Sequence, residues 1–157
     1  MTHAIEAIDS EVHIRPATDA DLPRIMALGR QFYEASNTPE FPWDDATCIE
    51  LLRHMRIAGI LIVSEHDGEV SGVIGGLLTP FPYDKNTIVA SEMFWWVTPA
   101  ARRVGFPLLE AFEDEAKLRG ARLGAMSLVQ DMRGDLLTKL YQRRGYRLYE
   151  RSFLKVL

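Results

Sequence analysis

Ser91-Glu92-Met93-Phe94-Trp95-Trp96-Val97-Thr98-Pro99-Ala100-Ala101-Arg102-Arg103-Val104-Gly105 is the stretch on which the fold turns. Its first half continues a run, Ile88 to Val97, rich in β-branched and aromatic residues, which predicts a strand. Pro99 ends that strand, and Leu108 to Leu118 then reads as a helix. A carboxylate inside such a strand is conspicuous, and period-two alternation puts Glu92 on one face with Phe94 and Trp96. A loop that feeds a helix presents free backbone N–H groups and the positive end of the helix dipole, a setting suited to phosphate oxygens. Gly105 lets backbone approach a ligand closely, and Arg102 and Arg103 can reach phosphate. The same residues also fit an ordinary strand-to-helix turn with two solvated arginines.

Working upstream, Ile60–Glu65 and Val70–Leu78 flank Asp67-Gly68, a strong hairpin signal. A Pro-rich loop, Thr79 to Asn86, separates that hairpin from the central strand. Further towards the N-terminus, Val12 to Pro16 reads as a short strand. Thr18 and Asp19 precede a helix whose apolar members are Leu22, Ile25, Met26, Leu28 and Phe32. Pro39 and Pro42, within Ser36 to Trp43, break it, and a second helix runs from about Asp44 to Ile57. Residues 1–11 read as a loose tail.

Downstream, Ala125 to Val129 reads as a strand, and a helix from Asp135 to about Arg144 stops at Gly145. Tyr146 to Val156 is long enough for one or two closing strands. The order predicts one α/β domain over residues 12–157: a central mixed, mostly antiparallel sheet with helices on both faces.

At 157 residues, 47% hydrophobic and 25% charged, the chain suits a single folded domain. One cysteine, Cys48, excludes an internal disulfide framework and suits a reducing cytoplasm. The N-terminus lacks the pattern of a secretory signal, and no apolar run approaches membrane-spanning length. A cytoplasmic protein without a membrane partner is expected. His3, His13, His54 and His66 are scattered without ligand spacing, so no metal site is expected. Residues 1–99 carry 6 Lys and Arg against 15 Asp and Glu, whereas residues 100–157 carry 12 against 7. A basic C-terminal half on an acidic protein suits a phosphorylated ligand, or else decorates solvated faces.

The element order and two segments resemble the GNAT acyltransferases from Val12 to the C-terminus. Trp96-Val97-Thr98-Pro99-Ala100-Ala101-Arg102-Arg103-Val104-Gly105 is similar to the family's Val-x-Pro strand exit followed by Arg-x-x-Gly-x-Gly/Ala. Leu140-Tyr141-Gln142-Arg143-Arg144-Gly145-Tyr146 is similar to its Leu-Tyr-x-x-x-Gly-Phe helix end. The resemblance is strongest to compact bacterial and phage-type members. It implies acetyl-coenzyme A bound by Trp96, Val97, Arg102, Arg103, Val104, Gly105, Phe106, Pro107 and Leu108. One departure stands out: the family's second small residue falls on Pro107, which has no N–H. If Leu108-Leu109 is instead aligned with the family's Leu-Leu pair, Gly105 becomes the second glycine and the loop is about two residues short.

The resemblance further implies direct attack of a primary amine, on a small molecule or a protein, upon the thioester. A backbone N–H within Phe94 to Val97 would polarise the carbonyl. Tyr141 would protonate the leaving sulfur, though its spacing from Leu137 also suits a helical core face. Glu92 would be the base, its pKa raised if partly buried among aromatics; the alternative is an edge acid facing solvent or an arginine. Phe32, Tyr33, Trp43, Asp44, Tyr83 and Asp84 are candidates to line the acceptor pocket, or else local packing. Exposed aromatic strands leave a homodimer open. Two rivals stand beside this reading: a fold that binds acyl-coenzyme A without catalysing, and a nucleic-acid module built on Tyr146 to Arg151. The acid-rich first half argues against the second, so no nucleic-acid partner is expected.

Overall fold

The computed structural model describes residues 12–36, 40–129 and 132–157. The expected tail over residues 1–11 and the break at Pro39 lie outside these residues. Among them the order is β1 (Val12–Pro16), α1 (Leu22–Ala35), α2 (Asp45–Ala58), β2 (Ile60–His66), β3 (Glu69–Phe81), β4 (Asp84–Val97), α3 (Gly105–Leu118), β5 (Ala121–Ala125) and α4 (Gly134–Arg143). Short 3-10 turns at Asp19–Asp21 and Pro99–Val104 lead into α1 and α3.

The described strands form one sheet in the order β1-β2-β3-β4-β5, antiparallel throughout except for β4 beside β5. Both of its faces are covered, and the sequence of β2 records this directly. Leu61 and Val63 point into a core with Leu22, Ile25 and Leu28 of α1 and Leu52 and Met55 of α2. Ile60 and Ile62, one residue out of phase, point into a second core with Leu108, Leu109 and Phe112 of α3 and Tyr141 of α4. A strand apolar on both faces is what a sheet sandwiched between helices demands.

Local signals set most of the boundaries. Asp67 and Gly68 turn β2 into β3 with φ values of 50° and 79°, the two positive angles of a tight hairpin turn that Asp-Gly supplies cheaply. Asp44 caps α2 by accepting hydrogen bonds from the Thr47 backbone N–H at 2.7 Å and the Thr47 hydroxyl at 2.6 Å. The structure corrects three expectations. Thr79 to Asn86 is no separate loop: β3 runs to Phe81 and β4 starts at Asp84, because the turn needs only Pro82 and Tyr83. The fifth strand spans Ala121–Ala125 rather than Ala125 to Val129, since Gly120, with φ 82°, already ends α3. Tyr146 to Val156 forms no strand, and its residues beyond Tyr146 are exposed.

Candidate active site

The site is built on a defect in β4. Ala90, Ser91 and Glu92 stand opposite Leu78, Leu77 and Gly76, and Phe94 stands opposite Gly75, so Met93 has no opposite number. This is a β-bulge, and one extra residue reverses the alternation beyond it. Before the bulge Ala90 lies on the α3 face; beyond it Trp95 and Val97 lie there, while Phe94 and Trp96 pack against the α1 and α2 core. Glu92 therefore faces Tyr141, not the side of Phe94 and Trp96, which corrects the simple period-two expectation. Gly76 marks where the two strands press together. A Cβ there would sit 2.5 Å from the Ser91 carbonyl oxygen and 2.8 Å from the Phe112 ring.

At the same level β4 loses its other neighbour. Its pairing with β5 runs from Ile88 opposite Ala121 to Ser91 opposite Ala125 and stops. Among the described residues the strand from Met93 to Val97 is paired with β3 alone, so alternate backbone groups point into the gap where β5 has parted from it. Glu92 closes the ladder with its side chain: Oε2 accepts a 3.1 Å hydrogen bond from the backbone N–H of Ser127. Only 8% of Glu92 is exposed, and burial pushes its carboxyl up to about 7, with the Ser127 bond pulling the other way.

Ser127 also meets the second candidate. Its carbonyl accepts a long, 3.5 Å hydrogen bond from the Tyr141 hydroxyl. Tyr141 is buried on α4, and burial, followed by the charges of Glu92 and Tyr146, raises its pKa well above the usual phenol range. The phenol is thus protonated near neutrality, with its proton only loosely engaged. Trp95 stands alongside with ring centroids 6.5 Å apart, and its buried indole N–H has no partner among the described residues.

The approach to α3 differs from the open loop that the sequence suggests. Pro99–Val104 is a 3-10 turn, and the Gly105 N–H is already bonded to the Arg102 carbonyl. Pro107 contributes no donor, so few backbone N–H groups remain at this helix start. Val104 and Leu108 are core residues. Arg102 and Arg103 project into solvent, and Phe106 lies half-exposed under the Arg144 guanidinium, 5.0 Å from its ring. Trp96 turns towards α1, donating to Gln31 at 3.2 Å and meeting Phe32 edge-on. Val97 stays on the α3 side, where a Cβ added to Gly105 would meet it at 3.9 Å.

The acceptor candidates divide into two groups. Tyr33 and Trp43 pack together at 5.4 Å, beside an open groove of about 590 Å³ between α1 and α2, lined by Arg30, Trp43 and Asp45 among others. Asp44 is spent on its helix cap. Tyr83 and Asp84 sit in the β3–β4 turn, where Tyr83 packs on Phe81 and Asp84 accepts from Asn86 and Thr87. Asp84 lies eight residues before Glu92 along the strand, roughly 25 Å, so this pair does not join the others. Sequence reasoning missed Ser127 and Trp95: a backbone partner leaves no mark in the residue type, and Trp95 falls on the wrong face until the bulge is known. Among the described residues no cluster of His, Cys, Asp and Glu could hold a metal ion, and no helix is long and apolar enough to cross a membrane.

No protein-family model matches the sequence, and no curated protein matches it. Solved structures do. A predicted acetyltransferase from Clostridium acetobutylicum with acetyl-coenzyme A superposes with a TM-score of 0.74 at 13% identity, covering 94% of this chain and 96% of that one. The aminoglycoside N-acetyltransferase AAC(6')-Iy in complex with coenzyme A gives 0.70 at 17% identity, covering 94% and 95%. A transcriptional regulator from Bacillus halodurans gives 0.71 at 20% identity, covering 94% and 100%. The fold is that of the GNAT acetyltransferases.

Proposed function

We propose that this chain is a GNAT-superfamily N-acyltransferase that moves an acetyl group from acetyl-coenzyme A to a primary amine. The observation that carries the reading is the Glu92–Ser127–Tyr141 cluster, seated where β4 and β5 part: two buried groups, one holding a proton and one able to take it, beside unpaired backbone. Such a pair, set apart by environment, is the mark of acid–base division of labour.

The chain's own features fit the nucleotide. The gap along Met93 to Val97 offers backbone donors and acceptors to an extended, amide-bearing arm. The partnerless Trp95 N–H is a further donor beside it. Arg102 and Arg103 stand free for phosphates, and with few N–H groups at the start of α3 the side-chain cations carry more of the anion's charge here. Bound there, acetyl-coenzyme A supplies the activated acetyl thioester.

Glu92 Oε2 takes the proton that the attacking amine must lose, and a value near 7 keeps a working fraction of the carboxyl ionised at neutral pH. Tyr141 Oη hands its proton to the departing sulfur. Its raised pKa makes it a reluctant acid in the resting site, so transfer waits until negative charge has developed beside it. A backbone N–H of Phe94 to Val97 polarises the carbonyl. Tyr33 and Trp43, at the groove of the opposite sheet face, are the acceptor-side candidates; a small molecule and a protein amine both fit this chemistry.

Calorimetric titration with acetyl-coenzyme A, with dephospho-coenzyme A and ATP as controls, tests the reading. Micromolar binding of acetyl-coenzyme A, abolished in a folded Gly105→Glu variant, is the expected result. Absence of binding overturns it. Binding without turnover across a broad amine panel would favour an acyl-coenzyme A-sensing module instead.

A further inference from the structure

Tyr141 is held in place more by its helix than by its own polar contacts. Its hydroxyl makes one long hydrogen bond, 3.5 Å to the Ser127 carbonyl, too weak to fix the direction of the phenol. Tyr141 is also the one fully buried residue of the ten in α4, with Leu137 and Leu140 partly buried beside it. A short helix with so narrow an apolar face needs a second attachment to stay put.

That attachment is Glu113 of α3. Phe106, Glu110 and Glu113 are spaced four and three apart, so they share one face of α3. Arg144, at the end of α4, lies along that face. Its guanidinium stacks over Phe106 and forks onto Glu113, with Nε donating to Oε1 at 3.3 Å and Nη2 to Oε2. A further bond reaches Glu110 at 3.2 Å. The Glu110 side chain is 48% exposed against 15% for Glu113, so solvent screens the Glu110 pair more. Gly145, at φ 90°, then turns the chain back. Tyr146 donates its N–H to the Tyr141 carbonyl at 2.9 Å and sets its ring 5.6 Å from the Tyr141 ring. Its hydroxyl donates to the same Glu113 Oε1 at 3.2 Å. Burial, followed by the charge of Glu113, raises the Tyr146 pKa above the usual phenol range, so this donor keeps its proton. One carboxylate thus grips both Arg144 and Tyr146, on either side of the turn that ends α4.

We propose that Glu113 is a positioning residue for acyl transfer: by gripping Arg144 and Tyr146 it aims the Tyr141 phenol at the sulfur it protonates. The inference rests on the reading of Tyr141 as the acid. Glu113 acts through its two partners rather than on the reactants. Proton transfer needs its donor closely placed, and an error of about 1 Å costs on the order of a hundredfold in rate. A helix freed to rock at its C-terminal end gives up part of that.

The test is a double-mutant cycle on the full chain. It reads kcat for thiol release from acetyl-coenzyme A with an amine that the parent acetylates, beside the calorimetric Kd for acetyl-coenzyme A. Glu113→Ala should lower kcat about tenfold and leave the Kd within about twofold. In a Tyr141→Phe background the same change should cost less than about twofold, because residues that act as one unit do not add their losses. A merely structural Glu113 would lower kcat by the same factor in both backgrounds, and that result overturns the proposal. So does a parent-like kcat in Glu113→Ala while Tyr141→Phe is slow. Tyr141→Phe turning over like the parent, or a parent that acetylates no amine, would instead sink the acid reading and the inference along with it. Should Glu113→Ala melt early, Glu113→Gln keeps the volume and an acceptor for Tyr146 while losing the charge that holds Arg144, and the same cycle is read from it.

Discussion

The two halves of β4 are built from similar residues and lead different lives. From Ile88 to Ser91 the strand has β3 on one side and β5 on the other, alternates regularly, and buries Ala90 completely. From Met93 to Val97 it keeps β3, loses β5, and runs out of phase with its first half. Glu92 stands at the boundary, using a carboxylate where the first half uses a backbone rung. The lesson is that one inserted residue, Met93, makes two things at once: it ends a ladder and opens a gap, and it turns the next inward side chain on the α3 face into Trp95.

Four substitutions sharpen or break this contrast, in falling order of effect. Gly76→Ala drives a methyl into the Ser91 carbonyl and the Phe112 ring and should cost ~3 kcal/mol, roughly 10 °C in a thermal melt. A melt like the parent's would show that the strands are not pressed together at the bulge. Glu92→Gln should stabilise the fold, in a pH-dependent way. The carboxyl's value of about 7 in the fold lies above its ordinary 4.5. Burial therefore costs nothing below pH 4.5, where the group is neutral in both states, and the cost grows through pH 7. Denaturant titrations should find the glutamine variant level with the parent at pH 4.5 and ~2 kcal/mol more stable at pH 8, a figure reduced because an amide accepts the Ser127 bond less strongly. A gap that shrinks as pH rises would mean that the carboxylate is stabilised where it sits.

Tyr141→Phe removes only a hydroxyl with one long hydrogen bond, so stability should hold while turnover falls about tenfold or more and acetyl-coenzyme A affinity stays within about twofold. Unchanged turnover would return Tyr141 to the core it also fills. Gly105→Ala should do least. Gly105 has ordinary helical angles, and a Cβ would meet Trp95 at a comfortable 3.5 Å, so the variant should gain up to ~1 kcal/mol in stability. Set beside Gly105→Glu, it separates space needed by the fold from space needed by a ligand.

What was legible in the sequence follows the same boundary. Asp67-Gly68 is a local signal and led to the β2–β3 hairpin; the second helix expected from about Asp44 to Ile57 and the strand expected over Ile60–Glu65 fell within a residue of α2 and β2. The bulge was not legible from β4, where Glu92 to Val97 gives the same apolar reading in either phase. Its cue lay across the sheet: Gly72, Gly75 and Gly76 are three glycines in a strand, a pattern that flags bulges and close backbone approach. Glu92 was singled out by residue type and Tyr141 by the resemblance, but the link between them is a main-chain group, invisible to any reading of side chains. The closing strands expected over Tyr146 to Val156 rested on the length of the segment, and a strand also needs a neighbour to pair with.

Trp95 and Trp96 are adjacent in the chain yet look out on opposite sides of the sheet, one beside Tyr141 and the other held by Gln31. With Trp43 they are the chain's only indoles, and Trp43 lies at the groove between α1 and α2. Indole emission depends on local polarity and hydrogen bonding, so the protein carries an optical reporter for each layer without any label. In a Trp43→Phe background, Trp95→Phe and Trp96→Phe each leave one reporter. A ligand entering beside Tyr141 should then change the colour of one variant and leave the other dark to its arrival.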